Sequence, residues 1–317
     1  MRTITALFVG LGSIGTRHLK NLANLCADRG WTLQADALRS DLTRPLRPGA
    51  AELLHAQYTD LTAAPAHYDM VFITNPTSLH AEALRQVKGR GEALFIEKPI
   101  FSAEQTGLAL DELLPAGQKA YVAAPMRWCG AMLALKDRLP ALHPYCARVI
   151  CSSYLPDWRP GVDYRTVYSA RKALGGGVTI DLIHEWDYLV ELFGVPEKLY
   201  NFKGTYSELE IDSDDLSVYI AKYPTLLAEV HLDYFGRGYR RSIELFCRDG
   251  SYLADFGKGT LTLPDGTVQH YEEDVNRRYE REMEYFVDYA LTGCGESCNP
   301  PALALKVLKL TVGENVQ

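Results

Sequence analysis

No stretch of the chain approaches the run of about 18 consecutive apolar residues that a bilayer-spanning helix requires, so no membrane span is expected. Nor is there an excess of basic residues. The net charge is −7 and the pI is near 5.7, which excludes the overall positive surface typical of a nucleic-acid binder. A disulfide framework is missing too. Seven cysteines lie scattered at 26, 129, 146, 151, 247, 294 and 298, an odd number without framework spacing, and reduced thiols in a cytoplasmic protein are expected. Cys294 and Cys298 are separated by Gly-Glu-Ser with no second pair nearby, so no metal site is expected there. Internal repeats and low-complexity segments are absent. The opening Met-Arg-Thr-Ile-Thr-Ala-Leu-Phe-Val runs straight into a glycine-rich turn, which reads as a first β-strand and not as a signal peptide. What remains is an ordinary globular composition, 47% apolar and 23% charged.

At 317 residues two domains are expected, divided at 124/125. In the first part, strand-like and helix-like segments alternate. Strands are expected at Ile4–Val9, Thr32–Leu38, Asp69–Thr74, Ala93–Ile96 and Tyr121–Ala124, with helices at Ile14–Ala27, Ser78–Val87 and Ala103–Leu114. That alternation implies crossovers and a parallel sheet. After Pro125 come a helix at Met132–Leu142, a strand at Arg148–Tyr154 and, beyond Gly194, a succession of β-like runs. Their linkers carry turn chemistry (Tyr-Pro-Thr, Gly-Arg-Gly, Arg-Asp-Gly, Gly-Lys-Gly, Pro-Asp-Gly), which implies an open, mostly antiparallel sheet. Helices near 277–291 and 301–313 close the chain and are candidates to pack back on the first domain.

Gly10-Leu11-Gly12-Ser13-Ile14-Gly15 follows a strand and opens a helix. Glycines in that context permit a tight turn, close approach to a pyrophosphate and close helix–strand packing. The helix N-terminus then offers free N–H groups to phosphates. Asp36 fits the spacing of an acidic ribose ligand, but it falls inside the second strand, with Arg39 and Ser40 at the tip. A guanidinium beside a hydroxyl suits a 2′-phosphate, so the balance favours NADP over NAD.

Thr74-Asn75-Pro76 and Glu97-Lys98-Pro99 both fall where apolar strands end, the place where open parallel sheets bind ligands. His80 lies early in the helix after the first of them. In the second half, Gly175-Gly176-Gly177 opens an expected helix that carries Asp181 and His184 three residues apart on one face, with Glu185 next to them.

These pieces together resemble the Gfo/Idh/MocA oxidoreductases, named for glucose–fructose oxidoreductase, inositol dehydrogenase and a rhizopine-catabolism protein. The resemblance implies an α/β fold class, with an N-terminal Rossmann domain and a C-terminal α+β domain whose open sheet forms homodimer or homotetramer contacts. It also implies a sugar or cyclitol substrate, Lys98 as the catalytic lysine, and a cis Lys98–Pro99 peptide. One departure stands out. Many members carry the histidine four residues after the aspartate, whereas here that position is Glu185 and the histidine is at the third. His184 and Glu185 are therefore both candidates for the base, with Asp181 orienting. This resembles a subgroup associated with surface-polysaccharide and nonulosonate sugars.

The segment from Tyr154 to Lys172 has no clean periodicity, and long irregular segments in compact domains are often functional. Trp158, Tyr164 and Tyr168 could stack on a sugar, and Arg159, Arg165 and Lys172 could hold a carboxylate or phosphate. Arg127 is a further substrate-binding candidate. Asp212, Asp214 and Asp215 read as a solvated loop. The expected activity is hydride transfer between a nicotinamide and a sugar carbinol carbon. The competing readings are an NAD-assisted lyase or glycosidase and a non-catalytic nucleotide-binding regulator.

Overall fold

A computed structural model describes residues 2–292 and 295–316, and Cys294 lies outside them. The chain divides into two compact units, Met1–Ala123 with Tyr279–Leu305, and Ala124–Arg278 with Lys306–Gln317.

The first unit is built on six parallel strands: β1 (Thr3–Val9), β2 (Thr32–Leu38), β3 (Leu54–Tyr58), β4 (Tyr68–Ile73), β5 (Gly91–Ile96) and β6 (Lys119–Val122). Their order is β3-β2-β1-β4-β5-β6. The order reverses direction at β1, so a crevice opens between the ends of β1 and β4. Helices α1 (Ser13–Asp28), α2 (His80–Gln86) and α3 (Leu110–Leu113) make the connections. The helix expected over Ala103–Leu114 is not continuous. A single turn at Ala103–Gln105 is closed by the Ser102/Gln105 capping box, and Thr106-Gly107, poor helix formers, separate it from α3. The core joins β1, β4 and β5 to α1 and to Met283, Phe286, Val287 and Ala290. Each large side chain buried there contributes about 1.5–3 kcal/mol.

The second unit contains α4 (Gly130–Arg138), α5 (Val178–Asp181), α6 (His184–Phe193) and an eight-stranded sheet. Its strands are β7 (Cys146–Tyr154), β8 (Lys198–Gly204), β9 (Leu216–Lys222), β10 (Leu227–Asp233), β11 (Phe235–Cys247), β12 (Gly250–Asp255), β13 (Thr260–Thr262) and β14 (Val268–His270). The helices α7 (Val275–Thr292) and α8 (Pro301–Thr311) follow. The sheet order is β14-β13-β12-β11-β7-β10-β9-β8. It is antiparallel except where β7 runs parallel to β10, because β7 inserts between two later strands. The Gly-Arg-Gly expected to be a turn lies inside β11 instead. It forms an irregularity between Phe235 and Arg240 that bends the strand without ending it.

Alternation along the strands separates two faces. Val149, Tyr219, Val230 and Ile243 are fully or almost fully buried, with Trp186 of α6 edge-on to Tyr219 and the Tyr219 hydroxyl donating to the Thr311 carbonyl at 2.6 Å. The opposite face leaves Tyr200, Phe202 and Ile220 exposed, Phe202 at 72%. No helix among the described residues is long and apolar enough to cross a membrane.

Candidate active site

In the first unit, three strand ends are tied together. The Gly10 amide donates to Leu38, the Thr74 amide to Val9, and the Thr74 hydroxyl to the Gly10 carbonyl at 2.5 Å. Gly10 has φ +83°, and a Cβ there would lie 2.7 Å from the Asn75 Cα. A Cβ on Gly15 would lie 2.7 Å from both the Gly10 carbonyl oxygen and the Thr74 hydroxyl. These two glycines are therefore demanded by packing. Gly12 differs, because a Cβ there would meet nothing within 4 Å. It caps α1 with no side chain bonded to the first-turn amides, and Ser13 and Ile14 follow in that turn.

Beside this turn a cavity of about 370 Å³ is lined by Gly10, Arg39, Ser40, Asn75 and Pro76, among others. The Asn75 side-chain oxygen is buried without a hydrogen-bond partner among the described residues. An open glycine cradle at a helix N-terminus, an orphaned amide oxygen and a guanidinium in one cavity fit a dinucleotide. Arg39 is steadied by the Gln57 side chain at 2.7 Å and the Arg44 carbonyl at 2.5 Å. Asp36 is only 3% exposed and accepts from Tyr68 at 2.8 Å, so its carboxylate is committed inside the fold.

His80 is placed differently from its expected role at the cofactor. It is 1% exposed, and its ring nitrogens lie 3.1 Å from the carbonyls of Ile100 and Asn75. It links the backbone that follows Lys98 to the Asn75 turn, and burial pushes its pKa down. Glu97 is also buried. One oxygen meets the Nε2 of His18 at 2.6 Å and the other accepts the Lys98 amide at 3.0 Å. Lys98 itself is half-buried, and its peptide to Pro99 is cis.

In the second unit the triple glycine again answers to packing. A Cβ on Gly176 would lie 2.0 Å from the Tyr168 carbonyl oxygen, and Gly177, at φ +135°, would place one 2.4 Å from Asp214. Asp214 accepts from the Thr179 amide and hydroxyl at 2.9 and 2.5 Å and so starts α5. The acidic run is thus no solvated loop. Asp212 accepts the Lys172 amide, and the fully buried Asp215 accepts from Tyr206 and Ser207. Asp212 thus holds the end of the irregular segment, Asp214 the start of α5, and Asp215 the turn at Tyr206-Ser207.

The expected single helix is interrupted. α5 ends at Asp181, Leu182 and Ile183 form a turn, and α6 begins at His184. The even angular spacing of a continuous helix therefore does not apply to Asp181, His184 and Glu185. Asp181 accepts the hydroxyls of Tyr168 and Tyr234, the latter at 2.6 Å. Burial and the Asp181 charge push both phenols above their ordinary pKa, so both remain donors. The Trp158 ring stands edge-on to Tyr234 with centroids 5.2 Å apart, and its N–H donates to Ser153. Arg159 lies nearby, where its charge acts on Tyr168.

Other expectations change. Glu185 is fully buried, and Arg241 grips both its oxygens, which removes it from the candidate bases. Arg127 is 3% exposed and locked to Asp187 and Glu191, so it fastens α6 and is not available to a substrate. Arg165 is neutralised by Asp163 and Glu210, and the Tyr164 hydroxyl accepts the Glu210 amide. His184 is half-buried at the start of α6. Tyr234, His18 and Arg241 are the participants that sequence reasoning missed. His18 sits between Arg17 and Lys20, Arg241 follows Arg240, and Tyr234 follows Asp233, so no local pattern separates them from their polar neighbours. No group of three or more metal-binding side chains occurs among the described residues.

Residues 4–123 match the Gfo/Idh/MocA family, described as an oxidoreductase family with an NAD-binding Rossmann fold. YrbE of Bacillus subtilis (strain 168), an uncharacterized oxidoreductase, is 24% identical over 308 residues, which cover 90% of this chain and 86% of YrbE. Inositol 2-dehydrogenase of Rhizobium meliloti (strain 1021) is 26% identical over 200 residues, 61% of this chain and 56% of that protein. The structure of levoglucosan dehydrogenase in complex with NADH and levoglucosan aligns with a TM-score of 0.80 at 16% identity, covering 98% of this chain and 95% of the other. The WlbA dehydrogenase of Bordetella pertussis, in complex with NADH and UDP-GlcNAcA, aligns with a TM-score of 0.73 at 18% identity over 98% and 95% of the two chains. At these identities the structural likeness speaks for the fold.

Proposed function

We propose, from the match of residues 4–123 to the Gfo/Idh/MocA oxidoreductase family, that this chain is a member of that family and a dehydrogenase or reductase acting on a CH–OH group of a sugar, sugar derivative or cyclitol. The observation that carries this reading is the cavity at the ends of β1, β2 and β4, with Lys98 two residues past the end of the neighbouring β5. A bound nicotinamide dinucleotide supplies hydride acceptance and donation. Gly10, Gly12, Ser13 and Asn75 are assigned to its pyrophosphate side and Arg39 with Ser40 to its adenosine ribose. Because Asp36 is committed to Tyr68 while Arg39 lines the cavity, NADP is the favoured form.

Lys98 is assigned to stabilise alkoxide character on the substrate oxygen as a positioned cation. His184 takes the hydroxyl proton, since an imidazole is the side chain best suited to general-base work near neutral pH. Asp181, held by two phenols, orients the reacting groups. Trp158 and Tyr168 offer ring faces to a sugar, and Arg159 offers a charge to an anionic substituent. The experiment is a substrate screen with NAD and NADP, read at the nicotinamide absorbance band. A cofactor preference for NAD would remove the role given to Arg39.

The exposed Tyr200, Phe202 and Ile220 lie on the uncovered face of the eight-stranded sheet. We assign that face to a second copy of the chain. Light scattering of Phe202→Arg against wild type is the check, and an unchanged mass would refute the assignment. The free thiols among the described cysteines suit a reducing, cytoplasmic setting.

A further inference from the structure

His18 lies in the second turn of α1 and is fully buried. Its ring packs against Phe95 with centroids 4.6 Å apart and lies 6.5 Å from Phe72. An apolar side chain would fill such an aromatic slot at no polar cost. The polarity of His18 is used in the contact of Nε2 with the Glu97 carboxylate at 2.6 Å. Its Nδ1 is buried with no partner among the described residues, so the ring proton belongs on Nε2, pointing at Glu97.

Glu97 is a buried carboxylate, and burying one unpaired is costly. Burial pushes its carboxyl up, but the His18 bond, the Lys98 charge and the Lys98 amide outweigh it and leave the group below its ordinary range. The second Glu97 oxygen accepts that amide at 3.0 Å. The residues therefore form a chain: His18 on the helix that opens with Gly12 and Ser13, then the Glu97 carboxylate, then the backbone of Lys98. Replacing such a buried polar pair with well-packed apolar groups is often neutral for stability, so stability alone does not call for a histidine and a glutamate here. What the pair holds in place is the lysine.

We propose that His18 is a positioning residue for Lys98, acting through Glu97, so that the helix framing the dinucleotide cradle also sets where the lysine is presented. The proposal rests on the reading of Lys98 as a catalytic residue, but its primary test does not need turnover. Lysines of the full-length protein are reductively methylated with ¹³C, and the Lys98 signal is identified by its loss in Lys98→Arg. In His18→Leu the Lys98 signal is expected to move or broaden. In His18→Gln, whose amide can donate to the same carboxylate, it is expected to return towards wild type.

In kinetics, His18→Leu is expected to lower kcat about tenfold or more while the dinucleotide Kd stays within about twofold, with partial recovery in His18→Gln. An unmoved Lys98 signal in folded His18→Leu overturns the proposal, and so does a change that His18→Gln fails to recover. If His18→Leu does not fold, Glu97→Gln reads the link from its other end, and an unmoved Lys98 signal there also overturns it. Absence of any dehydrogenase turnover in wild type would defeat the proposed function while leaving the resonance result to stand or fall separately.

Discussion

Arg241 grips Glu185 through a fork of two hydrogen bonds, Nε to Oε1 at 2.7 Å and Nη2 to Oε2 at 3.0 Å, with the carboxylate fully buried. The pair joins the first turn of α6 to β11. Because Glu185 directly follows His184, the fork also fixes the backbone that presents the imidazole. Arg241→Met leaves a buried carboxylate unpaired and is expected to lower unfolding free energy by about 3–5 kcal/mol. Chemical denaturation measures this. The double variant Glu185→Leu/Arg241→Met is expected to recover most of the loss, and failure to recover would show that the fork does more than neutralise charge.

Asp181 draws its order from two phenols. Tyr234→Phe removes a hydrogen bond to a carboxylate and is expected to cost about 1.5–3 kcal/mol in stability. It is also expected to lower kcat more than it raises KM, because Tyr234 is buried while Tyr168 is partly exposed. Steady-state kinetics of Tyr234→Phe and Tyr168→Phe check this. Equal and small effects on kcat in both would argue against a positioned carboxylate.

The triple glycine makes a strict prediction. At Gly177, φ is +135° and an added Cβ would lie 2.4 Å from Asp214, whose carboxylate starts α5. Gly177→Ala is therefore expected to destabilise strongly, by several times the about 1 kcal/mol of an ordinary Gly-to-Ala mismatch. Gly12→Ala, where a Cβ meets nothing, is expected to leave stability unchanged and to weaken dinucleotide binding. Thermal melts with and without dinucleotide separate the two.

Much of the fold was legible because it depends on period and punctuation. The strands β1, β2, β4 and β5 are apolar runs, and α1 has a clear helical stripe after its glycine turn. The second sheet was legible as mostly antiparallel. Its one parallel pair was not, since the insertion of β7 beside β10 is a long-range choice that no local pattern records. Where motif and context coincide, at Gly10–Gly15 and Glu97-Lys98, the strand-to-helix turn and the strand end were legible. The placement of Arg127 and Glu185 was not, since their charges face buried partners distant in sequence, Asp187 and Arg241. Nor was the break at Leu182–Ile183 visible, because both residues fit a helix by propensity.

Stability should fall with acid, and the sign follows from two buried groups. Burial holds His80 below its ordinary 6.5, so below that pH the unfolded chain takes up a proton that the folded chain refuses. Glu97 lies below its ordinary 4.5, so its contribution is present above 4.5 and lost as pH falls through the folded value. The urea midpoint is expected to drop between about pH 7.5 and about pH 5.5, with a shallower drop in His80→Gln. Identical pH dependence in the variant would show that His80 does not govern that window.

The central claim is that this chain oxidises or reduces a sugar-like CH–OH group with Lys98 and His184 as the reacting side chains. The most direct measurement is single-turnover nicotinamide absorbance in wild type, Lys98→Ala and His184→Ala, with dinucleotide binding followed in parallel. Hydride transfer in wild type, a fall of about 10² or more in each variant and near-unchanged dinucleotide binding are the predicted results. Near-full turnover in either variant would contradict the account.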